Sequence, residues 1–149
     1  MVLICYRHGF RASEICDLRW EQVDFEQARL HVRRVKRGTP SVHPLQGDTL
    51  RALRRLKRKT PASDFVFTSE RGAPFTTAGF AKTIERIGAA SRLGIRYHPH
   101  ALRHTGGYKL ANDGVDARSL QSYLDHRNIQ HTVKFSELSA TRFNNFWKT

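Results

Sequence analysis

The stretch His98–Phe135, HPHALRHTGGYKLANDGVDARSLQSYLDHRNIQHTVKF, decides how the rest of the chain is read. His100 and Arg103 lie three residues apart just after Pro99, so one helical turn points both side chains the same way. Leu102, Tyr108 and Leu110 supply apolar contacts on that helix, and Asn112-Asp113-Gly114 is a stop signal. Asp116 then caps a second helix carrying Leu120, Tyr123 and Leu124. A second histidine, His126, follows that helix, and an aromatic, Phe135, comes nine residues later.

Upstream of this stretch, VLICYRH at 2–8 reads as the end of a helix with Gly9 as its stop. No capping signal precedes it, so the chain reads as one that begins inside an element, a truncated or unusually short member of its kind. In GFRASEICDLRW, Ser13 is the expected cap, and Ile15, Leu18 and Cys16 form an apolar stripe. Arg11 lies just outside that helix, at its positively polarised end, where an anion is favoured. Between residues 23 and 45 the period changes to alternation in VDF, RLHVRRV and SVHPL, with turns at Glu26-Gln27 and Lys36–Pro40. This predicts three antiparallel strands, with Lys36 and Arg37 on the second turn.

From Gly47 a helix returns, with Leu50, Leu53 and Leu56 on one side and Arg51, Arg54, Arg55, Lys57, Arg58 and Lys59 around the rest. The basic side is either a solvated face or one that meets a nucleic-acid backbone. Pro61 ends it, and FVF at 65–67 is a short strand or a buried extended piece. Thr76 or Thr77 opens the next helix, with Phe80, Ile84 and Ile87 inward and Lys82 and Arg86 outward. At the end of the chain, Phe143, Phe146 and Trp147 stand at helical spacing, suited to pack on the chain's own core or on a neighbouring protomer.

The 149 residues are most economically one domain, 39% hydrophobic and 26% charged, which describes a folded protein and excludes a disordered one. No apolar run approaches the ~20 residues of a membrane span. The start lacks a secretory signal pattern, so a cytoplasmic location is expected. Cys5 and Cys16 form no C-x-x-C and read as reduced, buried thiols. Lys+Arg 26 against Asp+Glu 13 gives a net charge of +13, which favours a polyanionic partner, nucleic acid ahead of an anionic membrane.

Five polar residues from separate segments are candidates for one site: Arg11, Lys36, His100, Arg103 and His126. Two arginines suit a phosphodiester, because their planar forks bind non-bridging oxygens and neutralise charge that builds in the transition state. A lysine on a hairpin is able to protonate a leaving 5′ oxygen, and histidines donate hydrogen bonds or handle a nucleophile's proton. Each residue alone is ordinary. Their order and spacing together carry the information.

That order resembles the tyrosine recombinase (phage integrase) family. The segment G-F-R-A-S-E at 9–14 is similar to the motif around the family's first arginine. Lys36 matches the hairpin lysine, His100-Ala-Leu-Arg103-His104 matches H-x-L-R-H, and Leu124-Asp125-His126 matches L-G-H. The run HRNIQHTVKFSELSATRFNNFW is similar to the end of the fimbrial phase-variation inversion recombinases, where tyrosine stands in place of Phe135.

The resemblance covers nearly the whole chain, as one catalytic domain over 1–149 without its first helix or an N-terminal core-binding domain. It implies a mainly α fold with a small three-stranded antiparallel β-sheet (α+β), the DNA breaking-rejoining enzyme fold. It also implies a cytoplasmic protein, bacterial or phage-encoded, that binds double-stranded DNA and acts as a homo-oligomer, here through the C-terminal tail. No metal, nucleotide or other cofactor is implied. A tyrosine oxygen attacks the scissile phosphate, leaving a 3′-phosphotyrosyl link and a free 5′ hydroxyl. By this mapping Arg11 and Arg103 clamp the phosphate, Lys36 is the general acid, and His100 and His126 assist. Arg34, Arg37, His104 and Arg127 are further candidate DNA contacts.

Two departures stand out. Phe135 has no hydroxyl, so the covalent step cannot occur there, while folding and DNA binding should survive. Asp125 replaces the family's glycine beside His126 and adds negative charge near a phosphate. Tyr108 and Tyr123 are possible substitute nucleophiles, but both lie in apolar stripes. The main rival is a non-catalytic DNA-binding or regulatory relic of a recombinase. A zinc site from His98, His100 and His104 with Cys5 or Cys16 is a second rival, weakened by Pro99 and by the lack of an H-E-x-x-H carboxylate.

Overall fold

A computed structural model of the chain describes residues 1–35, 38–94 and 96–125. The chain opens with helix α1 (Val2–His8), closed by Gly9 in the left-handed conformation, and the short α2 (Ala12–Cys16). Its cap differs from the expectation at Ser13. Arg11 is the N-cap residue, its backbone N–H donates to Glu14 Oε2 at 2.9 Å, and Ser13 lies exposed within the helix. The buried glutamate out-competes the serine because it also meets two guanidiniums nearby.

After a 3₁₀ turn (Trp20–Gln22) come strands β1 (Val23–Asp24), β2 (Arg29–Val32) and β3 (Ser41–Pro44). They form an antiparallel sheet in the order β1-β2-β3, as the alternation predicts, with Leu30 opposite Val23 on one side and His43 on the other. Leu30 and Val32 face the core, and His31 and Arg29 face out. Helix α3 (Gly47–Lys59) buries Leu53 fully and Leu50 and Leu56 in part. Val66 and Phe67 are buried in the extended piece that follows.

Helix α4 (Thr77–Ala90) starts at Thr76, whose hydroxyl accepts the Gly79 N–H at 3.0 Å. Its buried row is Phe80, Ile84 and Gly88, a strict i, i+4, i+8 line. Ile87 falls off that line and is 49% exposed, contrary to its expected inward position. Helix α5 (Pro99–Asn112) packs chiefly on α1. The contact is close because residue 106 is glycine: a Cβ there would collide with the Tyr6 carbonyl. Its buried residues are Arg103, Gly106, Gly107 and Ala111, whereas Tyr108 is exposed and not part of an apolar stripe. Helix α6 (Ala117–Leu124), capped by Asp116 onto the Ser119 N–H, buries Leu120 and Leu124.

The main core runs from α1 and α2 through the sheet to α3 and α4. Ala111, Leu120 and Leu124 form a second cluster between α5 and α6. Both cysteines are free and buried, and burial pushes their thiols up, Cys5 to about 12 and Cys16 to about 11. Among the described residues no helix is long and apolar enough to cross a membrane.

Candidate functional site

The turn between α1 and α2 gathers three arginines from distant segments. Glu14, with its side chain fully buried, is the hub. Its Oε1 accepts from Arg11 Nη1 and its Oε2 from Arg34 Nη1, both at 2.9 Å. Burial alone would raise the Glu14 carboxyl, but the Arg11 amide and the two guanidiniums outweigh it and hold the group below its usual range.

Arg103 reaches the same turn from α5. Its Nη1 donates to the Gly9 carbonyl and its Nη2 to the Leu124 carbonyl at the end of α6. It is almost wholly buried. Burial first, then Arg11 and Arg34, lowers its guanidinium to about 10, with Glu14 and Asp125 opposing. Arg103 is therefore a clasp between the α1–α2 turn and the α6 end.

Arg34 corrects an expectation. As a candidate DNA contact it should be exposed, but its side chain has no accessible surface. Besides Glu14 it donates to the carbonyls of Gly9 (3.2 Å), His8 (3.3 Å) and Tyr123 (2.7 Å). A guanidinium bearing five donors satisfies several buried carbonyls at once, and that is its use here.

Arg11 is different: its side chain is 35% exposed. Its Nη1 pairs with Glu14 on one side and lies 3.5 Å from Asp125 Oδ2 on the other. Near it, His100 is exposed, edge-on to His104 with ring centroids 4.2 Å apart. Burial, then His104 and Arg103, lowers the His100 imidazole, with His98 and Arg11 adding to it. So Arg11, His100 and Arg103 come together. Lys36, Arg37, His126, Arg127 and Phe135 lie outside the described residues, as does the aromatic tail.

Tyr123 does not present a free hydroxyl. It donates to the Arg7 carbonyl at 2.7 Å, and burial pushes it up to about 12. His98, His100 and His104 sit at the start of α5, while Cys5 and Cys16 are in the core; no group of three metal-ligating side chains forms among the described residues.

Sequence reading assigned no role to Glu14, although the signal was present: an acid three residues after Arg11, at capping-box spacing. A second missed feature is a buried ring cluster. Tyr123 Oη lies 3.1 Å from His8 Nδ1, which is 3.1 Å from His43 Nδ1, and His43 Nε2 is 3.0 Å from Ser41 Oγ. Tyr123 donates to the Arg7 carbonyl, and which ring nitrogens of His8 and His43 carry the protons is set by their tautomers.

This helical frame with a three-stranded sheet and an arginine cluster is the fold of a tyrosine recombinase catalytic domain. The chain matches the model of the phage integrase family over residues 1–142 and belongs to that family. It is 40% identical over 152 residues to the type 1 fimbriae regulatory protein FimB of Escherichia coli K12, covering 99% of this chain and 76% of FimB. Among solved structures, a XerA recombinase aligns with a TM-score of 0.85 at 22% identity, covering 98% of this chain and 56% of that one. The Tn1549 transposon integrase, a tyrosine-to-phenylalanine variant in complex with transposon right end DNA, aligns at 0.81 and 22% identity, covering 97% of this chain and 56% of that one. The chain thus spans little more than half the length of these two structures.

Proposed function

We propose that this chain is the catalytic part of a site-specific DNA recombinase, gripping the phosphate backbone of duplex DNA at Arg11 and lacking the nucleophile needed to cut it. The observation that carries this reading is the arginine cluster itself. Three guanidiniums meet at one turn: backbone carbonyls hold Arg103, carbonyls and Glu14 hold Arg34, and Arg11, paired with Glu14, is left partly open within electrostatic reach of the exposed His100. A half-neutralised, outward-facing guanidinium on a rigid support is what a phosphodiester oxygen requires. In this reading Arg103 sets the turn that presents Arg11, and Lys36, His100 and His126 serve the leaving group and the phosphate. Arg37, His104 and Arg127 add backbone contacts, and the tail joins protomers on DNA.

Phe135 stands where the fimbrial recombinases carry the tyrosine. Without that oxygen no bond to phosphorus forms, and the protein holds DNA uncut. The Tn1549 integrase bound to DNA as a tyrosine-to-phenylalanine variant supports binding without cleavage. The second reading, a regulatory relic that occupies sites or pairs with an active recombinase, is favoured by the same Phe135.

Binding to duplex DNA should weaken steeply as salt rises; a flat response overturns the backbone-gripping reading. On nicked suicide duplexes, Phe135→Tyr should give a covalent adduct on a denaturing gel and the chain itself none. In that adduct the tyrosine oxygen bonds phosphorus and the 5′ oxygen leaves with a proton. An adduct formed by the unaltered chain would mean that another residue is the nucleophile.

A further inference from the structure

Asp125 ends α6 with φ 56 and ψ 44, a left-handed conformation that glycine adopts freely and aspartate only occasionally. The side chain there bridges two elements. Oδ1 accepts the Thr39 N–H at 3.0 Å, on the loop between β2 and β3, and Oδ2 lies 3.5 Å from Arg11 Nη1. The carboxylate is 9% exposed. The loop closes over it because residue 38 is glycine; a Cβ there would collide with Asp125 Oδ2 and with Arg34 Cβ.

The two acids on Arg11 differ. Glu14 is at hydrogen-bond distance, fully buried and shared with Arg34. The Asp125 contact is longer than a hydrogen bond, and among the described residues its carboxylate forms no other ion pair, although it also acts on the Arg103 guanidinium. A carboxylate held by a guanidinium and a backbone N–H uses the kinds of donor that bind a phosphodiester's non-bridging oxygens.

We infer that Asp125 is a resident anion at the phosphate seat. In the free chain its carboxylate covers Arg11 and holds the loop between β2 and β3 at the Thr39 N–H. An incoming backbone phosphate displaces it and frees the Thr39 N–H. Asp125 is thus a positioning residue that lowers affinity for DNA and couples loop release to phosphate arrival. This rests on the reading of Arg11 as a phosphate ligand.

The test uses the full chain and a fluorescent duplex of arbitrary sequence at low salt. Asp125→Asn keeps an oxygen for Thr39 and removes the charge; it should bind roughly three- to tenfold tighter, the scale of one lost competing ion pair and one lost repulsion. Asp125→Gly should bind at least as tightly and also speed Thr39 amide exchange, which Asp125→Asn should not. In an Arg11→Ala background the gain from Asp125→Asn should vanish. Unchanged or weaker binding by Asp125→Asn overturns the inference, as does a gain that persists undiminished without Arg11. If Arg11→Ala alone leaves binding unchanged, the phosphate reading of Arg11 falls and this inference with it. If Arg11→Ala weakens binding while Asp125→Asn does nothing, the latch alone is refuted.

Discussion

Two groups of cations in this chain look alike in sequence and differ in kind. Arg34 and Arg103 are buried and occupied by carbonyls and a carboxylate. Arg51, Arg54, Arg55, Lys57, Arg58 and Lys59 of α3 are all exposed, and none pairs with an acid among the described residues. The first group holds α1, α2, the loop after β2 and α6 in one arrangement. The second contributes charge and little structure. A net charge of +13 therefore overstates what is free to meet a polyanion at the arginine cluster, and understates how much arginine is spent on the fold.

The sharpest contrast should come from removing the hub. Glu14→Gln keeps the shape but strips the charge that balances Arg34 in a place with no solvent. Breaking a buried pair from one side costs on the order of 3 kcal/mol or more, because the other charge stays buried. Urea unfolding should show that loss for Glu14→Gln and almost none for a single α3 substitution. A Glu14→Gln chain as stable as the parent would mean the arginines are held by their carbonyls alone.

Comparable in size is an acid-labile junction. Burial, then Arg7 and Arg34, brings His8 down to about 4; burial, then His8 and Arg34, brings His43 down to about 3. Both lie below the unfolded value of 6.5, so the folded chain binds fewer protons and stability falls as pH falls. The full contribution is present above about pH 6.5 and is lost progressively toward pH 4 and below. The unfolded chain takes up a proton on each ring below 6.5, and the folded chain does not until about pH 4, so both rings count. Each ring loses ~1.4 kcal/mol per pH unit below 6.5, so about 2 kcal/mol per ring, on the order of 4 kcal/mol for the pair, should be gone by pH 5. Thermal melts between pH 5 and 8 measure it, and His43→Gln should flatten the slope. A parent chain with a flat profile would place a charged partner near these rings.

These expectations also show what could be read from the chain beforehand. The sheet, with its two turns, follows from period-two alternation, and the Thr76 and Asp116 caps from their spacing. Helix α5 resisted because its buried line is Arg103, Gly106, Gly107 and Ala111, so the packing surface carries no hydrophobic signal. Tyr108, an apolar contact by its place in the sequence, is exposed. At the site, the approach of Arg11, His100 and Arg103 was legible from motif order. The burial of Arg34 was not, because an arginine beside a strand is normally a surface residue and only the fold reveals that Glu14 and three carbonyls await it.

The smallest effect on stability, and the most informative on function, belongs to α3. Its cations fall on two lines. Arg54 and Lys57 lean on aromatics: Arg54 lies 5.9 Å from the Phe25 ring, and Lys57 lies 5.2 Å from Phe25 and 5.7 Å from Trp20. Removing Lys57 should cost ~0.5–1 kcal/mol as a cation–π contact is lost. Arg51, Arg55 and Arg58, one helical line with no such ring, should each change stability by less than ~0.5 kcal/mol. If that line touches backbone phosphates, replacing all three by alanine lowers the salt slope of duplex binding by about one per contact. We expect a fall of between about one and three, alongside unchanged urea unfolding. An unchanged slope would make the α3 line a solvated face and remove it from the DNA surface.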